Sequence, residues 1–150
     1  MAGGSAAATN GNVAFNKMKG HSTTYRNDTE YTTIGTSGSA SDGGDLTTGS
    51  TAVGAINGST YAYCAGGWGG SGVGRLNVID YVTFASPTDA GRDSGDLTAA
   101  RNMAASTEDS SRGIFIGGYN GTTAETGHVD TMDYFATATG GNASDFADYV

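Results

Sequence analysis

The carboxylates are the first residues whose spacing could do chemistry. Three aspartate pairs recur at i, i+3: Asp42 and Asp45, Asp93 and Asp96, Asp145 and Asp148. In glycine-rich turns such pairs have two readings. Hard carboxylate oxygens can hold Ca²⁺, or they can cap turns by accepting backbone N–H bonds. Turn capping recurs in every copy of a repeat for structural reasons, so it is the reading adopted, and no metal is expected. A glycosidase needs one singular pair of carboxyls, roughly 5–10 Å apart across a cleft. A pair present in every copy is not singular. His21 and His128 stand far apart, and neither has a partner at metal-ligand spacing. No Ser-His-Asp set has a recognisable nucleophile context. No enzyme activity, catalytic residue or cofactor is therefore expected.

Two aromatics are the candidate ligand-binding residues. Trp68 follows Gly66-Gly67, and Tyr119 follows Gly117-Gly118. They could stack on sugar rings, or they could pack on the neighbouring repeat, which is the favoured reading. Gly67-Trp68-Gly69-Gly70-Ser71-Gly72 matches G-x-G-x-x-G. A dinucleotide site needs that turn to open a helix, whereas here the chain runs on into the strand-like Asn77-Val78-Ile79.

The elements that must position these residues form a repeat. GDLTTGSTAVGAINGSTYAYCAGGW (44–68) aligns without a gap over GDLTAARNMAASTEDSSRGIFIGGY (95–119), at an offset of about 51. Asp45 matches Asp96, and the glycine pairs coincide. A second motif, an acid followed by tyrosine, recurs three times at Tyr31, Tyr81 and Tyr134. Leu46, Leu97 and Tyr149 are equivalent. Strands are expected near 51–56 and 102–107, at 61–65 and 113–116, at 77–84 and 129–136, and around Leu46, Leu97 and Tyr149. The glycine pairs are read as architecture, since glycine takes φ > 0 and lets a neighbouring strand approach. The three tyrosines are read as packing between repeats.

Composition narrows the function. The chain has 150 residues, a net charge of −8 and only seven Lys and Arg. That balance excludes a phosphate-neutralising nucleic-acid surface and a polybasic membrane contact. The one cysteine, Cys64, excludes an internal disulfide and is read as a small buried residue. No apolar run approaches ~18 residues, and the first residues have neither the positive nor the apolar region of a secretory signal.

The stretches IGGY (116–119), NVIDYVTFAS (77–86) and DSGDLTAAR (93–101) resemble the kelch-like repeats of virion proteins in tailed phages, notably marine phages of cyanobacteria. The resemblance covers about residues 29–150. The expected fold is all-β, with kelch-like, β-propeller-type repeats of about 51 residues. Two to three blades per chain would make an incomplete ring, so a homo-oligomer is expected. Residues 1–28 are read as a Gly/Ala/Thr-rich segment and docking arm, and 29–150 as the β-repeat domain. The resemblance implies a virion part made in the host cytoplasm, a capsid decoration or tail appendage whose partners are other virion proteins. The alternative is a receptor-binding tail-fibre module that recognises host-surface glycans.

Overall fold

Short runs of β-branched and aromatic residues, separated by Gly, Asn, Asp and Ser, favour short strands joined by tight turns. The computed structural model has this architecture; it describes residues 7–17, 25–109, 111–121 and 127–149. Among the described residues it holds twelve strands in three four-stranded antiparallel sheets, each a meander in chain order. Sheet 1 comprises β1 (Ala7–Thr9), β2 (Val13–Lys17), β3 (Thr29–Thr33) and β4 (Ser41–Asp42). Sheet 2 comprises β5 (Gly54–Asn57), β6 (Tyr61–Ala65), β7 (Val78–Thr83) and β8 (Arg92–Asp96). Sheet 3 comprises β9 (Ala105–Glu108), β10 (Arg112–Ile116), β11 (Thr131–Ala136) and β12 (Ser144–Asp148). Sheet 1 thus draws its first two strands from within the 1–28 segment. Of the 1–28 segment, residues 1–6 and 18–24, His21 among them, lie outside the described residues.

The register makes the three sheets equivalent. Phe15 faces Tyr31, Tyr63 faces Tyr81, and Ile114 faces Tyr134. In the sequence, Met18-Lys19 stand three and four positions after Phe15, where glycine pairs follow Tyr63 and Ile114, which hides the first repeat from a Gly-Gly search.

Two strand expectations are corrected. At 51–53 and 102–104 the chain is not a regular strand, because Ala52 (φ 57°) and Met103 (φ 59°) take the left-handed conformation. Only single bridges remain there, Thr51 to Trp68 and Asn102 to Tyr119. The fourth strands end before Leu46, Leu97 and Tyr149 rather than containing them. Leu46 and Leu97 instead plug the interior at 4% and 3% exposure.

Alternation of side chains across a strand gives each sheet two faces. Sheets 1 and 2 enclose Ala8, Phe15, Leu46, Ala62, Val82 and Phe84. Sheets 2 and 3 enclose Ile56, Tyr63, Ala65, Ile79, Leu97, Phe115 and Phe135. The first strands lie side by side, β1 against β5 and β5 against β9. Thr9 N–H donates to Asn57 Oδ1 at 2.5 Å, and Ser106 Oγ–H donates to Ala55 O at 2.7 Å.

Candidate functional site

The side chains that join the sheets form a repeated device. Asp80 on β7 is buried and accepts hydrogen bonds from Thr47 N–H (3.0 Å) and Thr47 Oγ1–H (2.7 Å). Asp133 on β11 is buried and accepts from Thr98 N–H (2.9 Å) and Thr98 Oγ1–H (2.6 Å). Each threonine lies in the connection that enters the next sheet, so each carboxylate clamps that connection to the sheet it enters. Charge-assisted bonds of this kind are short and strong. The signal was present in the sequence: an acid before every repeated tyrosine, and a threonine after both GDL stretches. What it did not reveal was that the two motifs, more than thirty residues apart, meet.

At the second junction Arg101 joins the clamp. Its Nη2 stands 2.6 Å from Asp133 Oδ2, both side chains fully buried. Its Nε and Nη1 meet no acceptor. The equivalent position at the first junction is Ser50: Ser50 N–H donates to Arg26 O as Arg101 N–H donates to Leu76 O.

The repeated aspartates Asp45 and Asp96 serve through their backbone. Asp45 O accepts from Gly91 N–H, and Asp96 O accepts from Ala143 N–H, both at 2.8 Å. Both side chains are exposed. The turn-capping expectation is corrected: Asp42, Asp93, Asp96, Asp145 and Asp148 lie within strands, and Asp93 accepts from Gly95 N–H at 2.8 Å inside β8, where the pairing with β7 is irregular. Among the described residues no three His, Cys, Asp or Glu side chains gather as metal ligands do.

The glycine pairs are required by backbone approach. Gly66 and Gly67 have φ of +66° and +114°, and Gly117 and Gly118 have +59° and +108°. A Cβ on Gly66 would meet Arg101 O at 2.4 Å, and one on Gly118 would meet Asn102 O at 2.7 Å. The incoming connection therefore lies directly on these residues.

The aromatics that follow are brought together by a residue that sequence reasoning passed over. The Arg75 guanidinium lies 5.1 Å from the Trp68 ring centre and 4.4 Å from that of Tyr119. Tyr119 in turn meets His128 edge-on at 5.6 Å. Arg75 bridges to Trp68, and His128 to Tyr119, at the same place in the two sheets. The result is a row of Trp68, Arg75, Tyr119 and His128 across the sheet 2–sheet 3 junction. Arg75 thus takes up ring surface that a sugar would need on Trp68 and Tyr119.

Tyr31 and Phe15 pack at the first junction, with ring centres 6.2 Å apart. Tyr81 packs with Tyr61 and Tyr63, at 4.8 and 6.0 Å. Tyr63 is buried, donates from its hydroxyl to Thr137 O at 2.8 Å, and has its pKa pushed up to about 12, chiefly by burial and then by Tyr61 and Tyr81. Tyr134 lies on the outward face of sheet 3 against Phe146, at 5.8 Å. Tyr61 and Tyr81 together line two adjoining recesses of about 180 and 200 Å³.

Comparison with protein-family models gives no match, and comparison with curated proteins gives none.

Proposed function

We propose that this chain is a non-enzymatic structural protein of a phage virion surface, a decoration or appendage on capsid or tail, whose sheets act as the blades of a propeller-like stack. The observation that carries the reading is a joint used twice and left open at both ends. One face of sheet 1 packs on sheet 2, and the corresponding face of sheet 2 packs on sheet 3. The sheet 3 face that would receive a further sheet bears Ile114, Ile116, Met132 and Tyr134, beside Phe146, which is 49% exposed. The opposite end, on sheet 1, bears Ala14, Asn16, Glu30 and Thr32. Glu30 there holds the place of Asp80 and Asp133 in the clamp. An apolar face at one end and an acid at the clamp position of the other support assembly by stacking, sheet 3 of one copy on sheet 1 of the next.

Light scattering on the purified chain tests this. A defined oligomer is expected, reduced to monomer by Ile114→Lys with the circular dichroism of the fold retained. A wild-type monomer would remove self-stacking. Quantitative mass spectrometry of purified virions tests the particle role: tens to hundreds of copies fit a decoration, and absence from the particle would overturn the reading. The second reading, a receptor-binding tail-fibre module recognising host-surface glycans, is favoured by one observation, the tyrosine-lined recesses. It predicts a handful of copies per particle.

A further inference from the structure

A repeat sorts its own residues. Whatever holds sheet to sheet recurs at equivalent positions, and a side chain peculiar to one sheet is not required by the architecture. Tyr61 is such a residue: the register gives Val13 and Arg112 at its place in sheets 1 and 3. Arg92 is another, since the residue paired with the repeated tyrosine is Ser41 in sheet 1 and Ser144 in sheet 3. These two exceptions to the repeat line the same cavity.

That recess, of about 180 Å³, is walled by Tyr61, Tyr81, Thr83, Asp89 and Arg92. The adjoining recess, of about 200 Å³, shares Tyr61 and Tyr81 and adds Asp93 and Ser94 from sheet 2 and Thr139 from sheet 3. Each is smaller than the ~300–1,000 Å³ of a drug-sized site, so each suits one small unit. The rings of Tyr61 and Tyr81 meet edge-on at 66°, and Tyr63 fixes them from behind. Among the described residues, the structure gives the hydroxyls of Tyr61 and Tyr81 no hydrogen-bond partner and Arg92 no ion pair. Asp93 has one oxygen engaged with Gly95.

The chemistry selects the ligand. Two carboxylates in a chain of net charge −8 disfavour an anion, and Arg92 offsets one of them, which weakens the pull on a cation. A neutral polyhydroxyl ring supplies donors for Asp89 and Asp93, acceptors for Arg92, and both for the tyrosine hydroxyls. Its C–H face suits an aromatic wall. We propose that these two recesses bind successive neutral hexose units of a glycan, with Tyr61 and Tyr81 between them. The inference deepens the receptor-binding reading. Copy number on the particle tests the virion role and saccharide binding tests the site, so either can fail alone.

The experiment is saturation-transfer NMR and calorimetry on the full chain with neutral hexoses and hexose disaccharides. A uronic acid and an amino sugar serve as charged controls. Disaccharides should bind more tightly than single hexoses, and irradiation of tyrosine ring protons should transfer saturation to the sugar protons. Tyr61→Val and Arg92→Ser install residues already used at these places in the sister sheets, so circular dichroism should show the fold retained, although Tyr61→Val gives up ring contacts to Tyr63 and Tyr81. Each should weaken binding roughly tenfold or more. Trp68→Ala should leave binding unchanged. No binding of any neutral saccharide, binding of the charged controls alone, or binding that survives both substitutions would overturn the proposal.

Discussion

The two sheet-to-sheet junctions are built on one plan and finished differently. Both clamp a threonine with a buried aspartate. The first completes its core with Ala62, Val82 and Phe84. The second uses Phe115 and Phe135, stacked at 6.1 Å and 6°, with Tyr63 edge-on to Phe135 at 4.9 Å, and buries the Arg101–Asp133 ion pair. The comparison teaches that a repeat conserves its joint geometry while its filling varies. The second junction combines more aromatic area with a more exacting electrostatic balance. Taking two charges out of water is costly, and the pair holds only while both partners are present.

That difference can be broken directly. Asp133→Ala strands a fully buried guanidinium and should cost about 3–5 kcal/mol in urea denaturation. Asp80→Ala, with Ser50 at the place of Arg101, should cost about 1–3 kcal/mol. Equal losses would mean that Arg101 adds nothing to the asymmetry. Arg101→Ser, which copies the first junction, should cost less than Asp133→Ala, because Thr98 still satisfies the carboxylate.

Truncating the fillings sharpens the packing side of the comparison. Phe135→Ala should cost about 3–5 kcal/mol, and Val82→Ala about 1–2 kcal/mol. Thermal melts of the two variants measure the contrast, and a larger loss from Val82→Ala would reverse the assignment of the stronger junction.

Tyr63 gives the second junction a pH signature. Burial holds its pKa at about 12, above the ordinary value of 10.0. Stabilisation from this group is therefore complete below pH 10 and falls as pH rises towards 12. Stability measured across that window should decline, and Tyr63→Phe should remove most of the slope. A feature common to both junctions yields the smallest effect. Met103 is 63% exposed and left-handed. Met103→Gly should stabilise by about 0.5–1 kcal/mol, as relief of the left-handed strain outweighs glycine's greater unfolded freedom.

Much of the fold was legible because it rests on local rules. Residues 61–65 read as a strand and form β6 from Tyr61 to Ala65, since alternation, β-propensity and a closing Gly-Gly agree there. The left-handed Ala52 and Met103 were not legible, because neither residue type favours that conformation. It is imposed by the approach of the connection to the glycine pair. Sheet 1 was obscured because the sequence that directly follows Phe15 carries no Gly-Gly.

The candidate site divides in the same way. Trp68 and Tyr119 stand out in the sequence beside their glycines, but Arg75 between them does not, since a cation ten positions past the end of β6, in a loop, has no periodic signature. The tyrosine-lined recesses were hidden as well. Tyr61 and Arg92 stand thirty-one positions apart, and only the pairing of β6 with β7 and β7 with β8 brings them to one cavity.

By itself, then, the sequence determined an acidic, all-β chain with a repeat of about 51 residues and the backbone freedom its turns require. Those properties follow from charge count, side-chain alternation and glycine, all of which act within a few residues. The tertiary structure alone decided which carboxylates are clamps, which cation is buried, and which aromatics pack on one another. Those outcomes depend on desolvation and on contacts between segments far apart in the chain, and sequence spacing encodes neither.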